Sequence, residues 1–345
     1  MKTLALGVSL LALATSTASA GGIDRSGQWI TPIFDKGNVV QFSIGSVDPN
    51  VTGSLGTTDS ATRYNPVSFS IKQSITDKVD VAVIVDQPFG ANIRYTSGPF
   101  NGGFADVTSK AMTFVGRYKY NDNFSVHAGA RAQSMTGTII SGSGMLSASS
   151  DYDAWGALVG AAYERPDIAM RVALTYNSAI KNKLSGMHNF ATPVSGSHES
   201  PESLNLEFQT GIAADTLLFG SVRHAKWAGG SLETTPVSGG ATINWVNFRD
   251  DSTSYTLGVG RKINDKLSLA VTLGYEGAGT RPGNTPLAPT NGYKSIGLGA
   301  SYNVTDSLKV SGGLQYVKLG DQSVGTVNFT DNEAVGFGLK LAYSF

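Results

Sequence analysis

Apolar and polar side chains alternate along most of this chain with a period of two residues. The clearest case begins at residue 254, where Tyr255, Leu257 and Val259 alternate with threonine and glycine. A turn at Asn264-Asp265 then leads into a second run of the same kind. This alternation is typical of a β-strand whose two faces meet different environments. The pattern therefore predicts antiparallel hairpins.

Fourteen segments follow this rule, and short turns rich in Asn, Asp and Pro join them in pairs. These residue types suit turns because they tolerate tight-turn dihedral angles. The predicted strands span approximately 37–47, 65–76, 78–87, 109–120, 123–139, 151–163, 167–180, 202–213, 216–228, 252–263, 266–278, 292–303, 307–319 and 331–345.

The connections between these strands fall into two alternating classes. Short turns alternate with connections of roughly 11 to 23 residues that are rich in Gly, Ser, Thr, Asn and Pro. Outer-membrane barrels sort their connections in this way, because short turns face the periplasm and long loops face the outside. The sequence therefore predicts an all-β fold, a transmembrane antiparallel β-barrel of 14 strands over residues 37–345. Its predicted location is the outer membrane of a Gram-negative bacterium.

One strand fits the alternation less well than the others. In the run 216–228, Leu218 and Val222 fall on one phase, whereas Phe219 and Trp227 fall on the other. A β-bulge inserts one residue and reverses the phase, so a bulge in this run would explain the pattern.

The chain ends on an aromatic residue, Phe345, at the close of an alternating strand. Tyr343 and Leu341 share its face, and tyrosines also gather at the ends of other predicted strands, where their amphipathic rings suit the membrane interface. This ending resembles the C-terminal assembly signal of outer-membrane barrels. It implies recognition of Phe345 by the barrel assembly machinery and insertion into outer-membrane lipid.

The first twenty residues are predicted to be an export signal. Lys2 provides a positive start, Leu4 to Ala14 form an apolar core, and Ala18-Ser19-Ala20 gives the small residues that signal peptidase cleaves. The apolar core is shorter than the ~20 residues a transmembrane helix needs. We expect the mature chain to begin at Gly21, with residues 21–36 forming a segment ahead of the barrel.

Composition excludes several classes of function. The 26 basic and 26 acidic residues cancel, and this balance argues against a nucleic-acid partner. The chain has no cysteine, so disulfides and thiolate metal or redox sites are excluded. Its four histidines show neither zinc-site nor nucleophile–base spacing. We therefore expect no enzyme activity, no cofactor and no metal.

Three arginines are predicted to point into the barrel. An uncompensated Arg or Lys facing lipid at mid-bilayer costs about 2–4 kcal/mol, so apolar positions face outward and their alternates face the lumen. This phase places Arg117, Arg131 and Arg171 inside. They could attract a carboxylate head group. Alternatively, they pair with acidic neighbours and brace the wall.

Several short motifs near the start of the mature chain resemble FadL-type outer-membrane transporters. They are the stretch from Gly22 to Gln28, the stretch from Ile33 to Asn38, the loop sequence from Val47 to Gly53, and Gln87-Pro88-Phe89-Gly90. The strand number is also that of the FadL family. The segment before the first strand is much shorter than the family's hatch and lacks its Asn-Pro-Ala motif.

The resemblance implies passive uptake of long-chain fatty acids or other hydrophobic compounds by a monomeric barrel. In this family an N-terminal hatch plugs the lumen, and the ligand leaves sideways through a gap at a kinked third strand. Pro88, Phe89 and Gly90 are the candidates for that kink, because Pro lacks a ladder donor and Gly tolerates unusual dihedral angles. The alternative is a plain exit from strand to loop.

Two further groups of apolar residues are candidate ligand contacts. Residues of the segment before the first strand could form a lumenal insert that contacts ligand, or a tail docked on the periplasmic rim. Residues in the long outer loops could collect ligand at the surface, since exposed apolar clusters tend to mark binding, or could pack the loops together. The first group comprises Ile23, Trp29, Ile30 and Phe34, and the second comprises Phe100, Phe104, Leu184, Met187 and Phe190.

Two other functions remain open at this point. A short N-terminal segment that leaves an aqueous pore would make the chain a general diffusion porin for small polar solutes. Outer loops that bind surfaces would instead make it an adhesin or receptor.

Overall fold

The computed structural model describes residues 23–279 and 285–345. The predicted export signal and the first two residues of the segment that follows it lie outside this range. The described chain is mostly β-structure, with short 3-10 helices at Thr31–Phe34 and Pro166–Ile168. No helix among the described residues has the length and apolar character needed to cross a bilayer.

The described residues form 22 strands. In chain order they are β1 (Val39–Asn50), β2 (Val67–Ser74), β3 (Val79–Asp86), β4 (Gly90–Arg94), β5 (Phe104–Lys119), β6 (Phe124–Ser141), β7 (Gly144–Ser149), β8 (Ala154–Arg165), β9 (Met170–Asn177), β10 (Ile180–His188), β11 (Thr192–Ser200), β12 (Ser203–Ala213), β13 (Thr216–Ala225), β14 (Ser231–Pro236), β15 (Ile243–Asn247), β16 (Ser252–Lys262), β17 (Leu267–Glu276), β18 (Tyr293–Asn303), β19 (Leu308–Leu319), β20 (Gln322–Val324), β21 (Val327–Phe329) and β22 (Glu333–Ser344).

Fourteen of these strands form one closed antiparallel barrel, which confirms the predicted fold class and strand number. They are β1, β2, β3, β5, β6, β8, β9, β12, β13, β16, β17, β18, β19 and β22. Each strand pairs with the next one in this order, and β22 closes the ring on β1. In the closing pair Val39 lies opposite Ser344 and Asn50 lies opposite Glu333.

The other strands lie within the long outer connections, which the sequence analysis treated only as loops. Strands β7, β10, β11 and β14 pair side by side and continue the sheet beyond the barrel strands. In β11, for example, the hydrophobic period does not reveal the strand because polar residues occupy most positions on both of its faces. The long outer connections therefore contain regular β-structure of their own.

The short turns are stabilised by the side chains that marked them in the sequence. Asn121 Oδ1 accepts hydrogen bonds from the backbone N–H groups of Asn123 and Phe124, at 2.9 and 2.7 Å. Asn264 and Thr305 cap their turns in the same way. These local hydrogen bonds satisfy backbone donors that the strand ladder leaves free.

The two faces of the strands separate as the alternation predicted. Outward-facing Leu298 and Leu314 expose 62% and 59% of their surface, which the lipid would cover. Inward-facing Lys72 and Arg171 expose only 2% and 3%. The apolar exterior together with the closed barrel makes the chain an outer-membrane, multi-pass β-barrel.

Strand β13 contradicts the bulge expected in the run 216–228. Its pairing with β16 runs without a register shift, and the shift in this region falls between Gly211 and Ala213 of β12. Leu217 and Phe219 simply point inward and are buried. Phe219 fits because Gly258 has no side chain: a Cβ there would lie 2.5 Å from the Phe219 ring.

Candidate functional site in the barrel lumen

Residues 23–36, which precede β1, lie inside the barrel. We call residues 23–36 the N-terminal insert. Its Ile30, Ile33 and Phe34 expose 1%, 0% and 6% of their surface. They pack against inward-facing side chains of the wall, namely Ala82, Ile84, Val115, Leu158, Ala162 and Ala173. These contacts place Ile30, Ile33 and Phe34 in the lumen, and a role of the insert in contacting ligand stays a prediction.

Hydrogen bonds and an ion pair hold the first half of the insert against strands β12 and β13 of the wall. Arg223 donates from Nε to Asp24 at 2.7 Å and from Nη2 to the Gln28 side chain at 3.2 Å. Asn205 Nδ2 donates to the Gly27 carbonyl oxygen at 2.8 Å. The chain bends here through left-handed backbone at Gly27 and Gln28, with φ of 71° and 57°. The insert is therefore held at several points.

Arg131 binds the insert through its backbone. Its Nη2 donates to the carbonyl oxygen of Gln28 at 3.2 Å. Its other nitrogens donate to Thr113 at 2.8 Å and to Asn177 at 3.0 Å. All of these partners belong to the protein, so Arg131 connects the insert to the wall in this conformation.

Arg117 and Arg171 converge on Phe34. The Phe34 ring centroid lies 4.9 Å from Cζ of Arg117 and 4.6 Å from Cζ of Arg171, both within cation–π range. Arg117 also forms an ion pair with Glu164. The three predicted arginines thus surround the insert, and a role in binding a ligand head group stays a prediction.

The predicted kink lies at an interruption of the barrel wall. Asp86 at the end of β3 pairs with Ala111 of β5, and Gly90 at the start of β4 pairs with Thr108. Three residues on one side therefore face two on β5, which is the geometry of a bulge. Here the wall bonds to the insert: the Pro88 carbonyl accepts from the Arg25 N–H at 2.7 Å, and the Gly90 N–H donates to the Ile23 carbonyl at 2.8 Å.

The interruption also ends the contact between β2 and β3. Their pairing extends up to Phe69 and Val85 and then stops. Above this level the Val67 N–H donates to the Gln87 side-chain oxygen at 3.3 Å, so a side chain takes the place of a backbone partner. The wall between β2 and β3 is consequently weaker here than in a continuous ladder.

An apolar cavity of about 140 Å³ lies above the insert, on the side of the outer loops. Ile23, a predicted ligand contact, lines it together with Arg25. Most of the other lining side chains are apolar and come from several strands and loops, including Ile93, Val107, Ile139, Leu232, Phe248 and Leu287.

A second cavity, of about 260 Å³, lies on the other side of the insert. Trp29, another predicted ligand contact, lines it, and so do the polar side chains Gln41, Ser70, Glu207, Glu276, Ser295 and Lys340. The outward-facing residues Ile44, Val67 and Phe69 line the same cavity. The lower cavity therefore reaches the lipid-facing side of the wall beside the β2–β3 interruption.

Phe89 anchors the interruption from inside. Its ring is fully buried, with its centroid 5.6 Å from that of Trp227, which in turn lies 4.6 Å from Phe248. Met135 and Ala225 complete this cluster. Pro88, Phe89 and Gly90 are thus packed into the wall, and their role as a lateral gate stays a prediction.

The candidate loop residues lie in two separate parts of the outer structure. Phe100 stacks against Phe329 with ring centroids 6.4 Å apart, and Phe104 begins β5 beneath the guanidinium of Arg94. Leu184 and Met187 lie on β10, where Leu184 is buried and Met187 is exposed. Phe190 is 77% exposed at the tip of the β10–β11 hairpin. A collecting role for these five residues stays a prediction.

Sequence reasoning missed Arg25, Tyr64 and Asn92. The Arg25 guanidinium lies over the Tyr64 ring, 4.0 Å from its centroid, and donates a hydrogen bond to Asn92. Arg25 lies in a segment without periodicity, and the other two lie in connections outside the predicted strands. Pattern alone gave no signal for them, although the resemblance did draw attention to the stretch that contains Arg25.

The lower end of the insert carries a partly buried carboxylate, that of Asp35. Burial raises the pKa of Asp35 above its ordinary value of 3.8, and the positive charge of Lys340 opposes that rise. The Gln41 side chain donates a hydrogen bond to Asp35. No group of three or more His, Cys, Asp or Glu residues in the described ranges is arranged to hold a metal ion.

The closed barrel with a short lumenal insert and an interrupted third strand defines a class of protein. It is the fold of the FadL-type outer-membrane transporters, which confirms the resemblance predicted from the sequence at the level of fold. No protein-family model matches the chain, and no curated protein matches it by sequence.

Three solved structures are similar to this chain in fold. A FadL homologue from Pseudomonas aeruginosa superimposes with a TM-score of 0.78 at 13% identity, covering 91% of each chain. The toluene transporter TodX of Pseudomonas putida has a TM-score of 0.65 at 12% identity and covers 90% of each chain. The toluene transporter TbuX of Ralstonia pickettii has a TM-score of 0.66 at 11% identity, covering 96% of this chain and 97% of its own. The last two of these neighbours are toluene transporters by name, and the likeness at this identity is one of fold.

Proposed function

We propose that this barrel takes up small hydrophobic compounds across the outer membrane without energy input. The observation that carries this proposal is the apolar cavity of about 140 Å³ between the insert and the outer loops. An apolar cavity of about 150 Å³ in another protein stays dry and binds benzene. The upper cavity therefore has the size and chemistry for a single aromatic ring.

Size also bears on the choice between rings and long acyl chains. A long-chain fatty acid is several times longer than a benzene ring, and a cavity of about 140 Å³ would hold only part of it. Two of the neighbours described above are toluene transporters by name. Small monoaromatic compounds are therefore our first choice of ligand, and long-chain fatty acids are the second.

We propose a lateral exit into the lipid for the same compounds. An apolar compound gains about 0.8 kcal/mol for each CH₂ that leaves water, so a path that ends in lipid avoids an unfavourable aqueous step. The lower cavity touches both the insert and the outward-facing Phe69, beside the place where β2 and β3 stop pairing. The packing of the insert across the lumen weighs against an open porin for polar solutes.

Uptake by cells that lack general porins tests this function. We expect cells expressing the protein to accumulate radiolabelled toluene faster than cells without it, with saturation at high concentration. A long-chain fatty acid should enter more slowly than toluene, and a small sugar should gain no advantage from the protein. Rapid sugar entry without a toluene advantage would contradict the proposal and favour a porin.

A further inference from the structure

The two lumenal cavities are separated by two side chains of the insert. Asp24 and Arg25 line both cavities. Asp24 is fixed by its ion pair with Arg223 at 2.7 Å. Arg25 extends the opposite way, toward the interrupted side of the wall, where Tyr64 and Asn92 receive its guanidinium. Of the two side chains that separate the cavities, Arg25 is therefore the one that faces the β2–β3 interruption.

The backbone beneath Arg25 is fixed on both sides. The Arg25 N–H donates a hydrogen bond to the Pro88 carbonyl oxygen, and the Gly90 N–H donates one to the Ile23 carbonyl oxygen. Beyond these bonds, Ile33 and Phe34 are buried in the apolar cluster of the wall. Moving the whole insert would break all of these contacts together.

The Arg25 side chain is held more lightly than its backbone. Its contacts are the face of the Tyr64 ring and the neutral amide of Asn92. The ion pairs recorded within the described ranges do not include Arg25. The nearby Asp106 accepts a hydrogen bond from Asn92 Nδ2 at 3.1 Å, and its charge acts on Arg25 without a direct ion pair. A guanidinium with neutral partners is released more readily than one paired directly with a carboxylate.

The wall is closely packed around the Arg25 side chain on the side of Gly90. A Cβ on Gly90 would lie 2.5 Å from Arg25 Cζ, so the guanidinium packs directly on the Gly90 backbone. The polar lower cavity, which Arg25 already lines, carries the carboxylates of Glu207 and Glu276. In the proposed movement the guanidinium turns toward this part of the cavity lining when it leaves Tyr64.

We propose that the Arg25 side chain is the gate between the two cavities. In the closed position it rests on Tyr64 and Asn92. In the open position it turns into the lower cavity, while the backbone of the insert stays bonded to the wall. The inference rests on the proposed function only for the identity of the compound that passes.

Thiol labelling tests the gate, because the chain contains no cysteine of its own. Ser254→Cys places one thiol in the lower cavity, and Thr290→Cys places one in the upper cavity. A small, charged, membrane-impermeant thiol reagent is added outside cells that lack general porins. We expect Arg25→Ala to speed labelling of the lower thiol several-fold and to leave labelling of the upper thiol unchanged.

Arg94→Ala is the matched control, because Arg94 also covers an aromatic ring, that of Phe104, but is exposed and lines neither cavity. It should leave both labelling rates unchanged. Equal labelling of the lower thiol with and without Arg25 would overturn the gate.

A third thiol separates a side-chain gate from release of the insert. Ile33→Cys lies in the fully buried cluster and should stay unlabelled with Arg25→Ala. Labelling there would overturn the side-chain gate, because it would mean that the whole insert had left. Labelling needs no hydrophobic compound, so failed toluene uptake would refute the proposed function without affecting this result.

Discussion

Phe34 is the residue on which the packing of the insert depends most. Two arginines cover its ring, and the edge of His127 meets it with centroids 5.7 Å apart. The positive charges therefore rest against an aromatic face inside the barrel, where they also bind the insert. Removing the ring would leave both a cavity and two guanidinium groups with fewer partners.

Phe34→Ala should loosen the insert without unfolding the barrel. Replacing a buried Phe by Ala typically costs about 3–5 kcal/mol, and the barrel strands do not depend on this side chain for their pairing. Trypsin should then cut after Arg25 at least several-fold faster than in the wild type. Phe190→Ala, at a position that is 77% exposed, is the control and should not change the rate. Equal cleavage of all three proteins would contradict this account of the insert.

The sequence drew attention to some residues of the insert but not to others. Ile30 and Phe34 were candidates because apolar residues on a short segment need a surface to cover them; both are buried, and their contact with a ligand stays a prediction. Arg25 and Tyr64 were not predictable, because their contact joins positions on two irregular segments. Only the folded barrel brings such segments together, and the period-two pattern of the sequence carries no sign of their contact.

At the scale of the element, the third barrel strand differs most from its neighbours. β3 and β4 are one strand interrupted at residues 87–89, and the insert takes over the backbone bonds there. The sequence predicted the position of this break from Pro88 and Gly90. It could not show that the pairing of β2 with β3 ends at the same level, because that depends on how the chain ahead of β2 folds.

Gln87→Trp should slow toluene uptake strongly if compounds leave beside this break. Gln87 lines the lower cavity at the interruption, and an indole ring there would narrow the lateral opening. Uptake is measured in porin-deficient cells with the same amount of folded barrel.

Gln315→Trp is the matched control for this experiment. Gln315 lines the same cavity but belongs to β19, away from the interruption. We expect it to slow toluene uptake less than Gln87→Trp does. An equal or greater loss with Gln315→Trp would contradict the lateral route and favour an exit along the barrel axis.

At the scale of the whole molecule, the barrel depends on the pairing of its first and last strands. β1 and β22 pair along their full length, and the Phe345 N–H adds a bond to the Asn38 carbonyl at 3.1 Å. The Phe345 ring stacks near Tyr343 with centroids 6.5 Å apart and is 60% exposed. An exposed terminal ring contributes little to packing, which is compatible with recognition during assembly.

Phe345→Ala should lower the amount of barrel that reaches the outer membrane and leave the stability of assembled barrels nearly unchanged. Folded barrel is measured by its heat-dependent mobility on gels of outer-membrane fractions. Phe337→Ala is the control, since Phe337 shares the outward face of β22 and is 46% exposed. Similar yields from both variants would argue against a special role for the last residue.

The sequence by itself determined the barrel, its fourteen strands and the side chains that face lipid. Each of these follows from a local rule, because a strand between lipid and lumen must alternate and a turn must contain residues that can bend. The tertiary structure decided where the insert lies, how Arg25 meets Tyr64 and where two cavities remain. These features depend on side chains far apart in the chain filling one closed space, and no short segment carries that information.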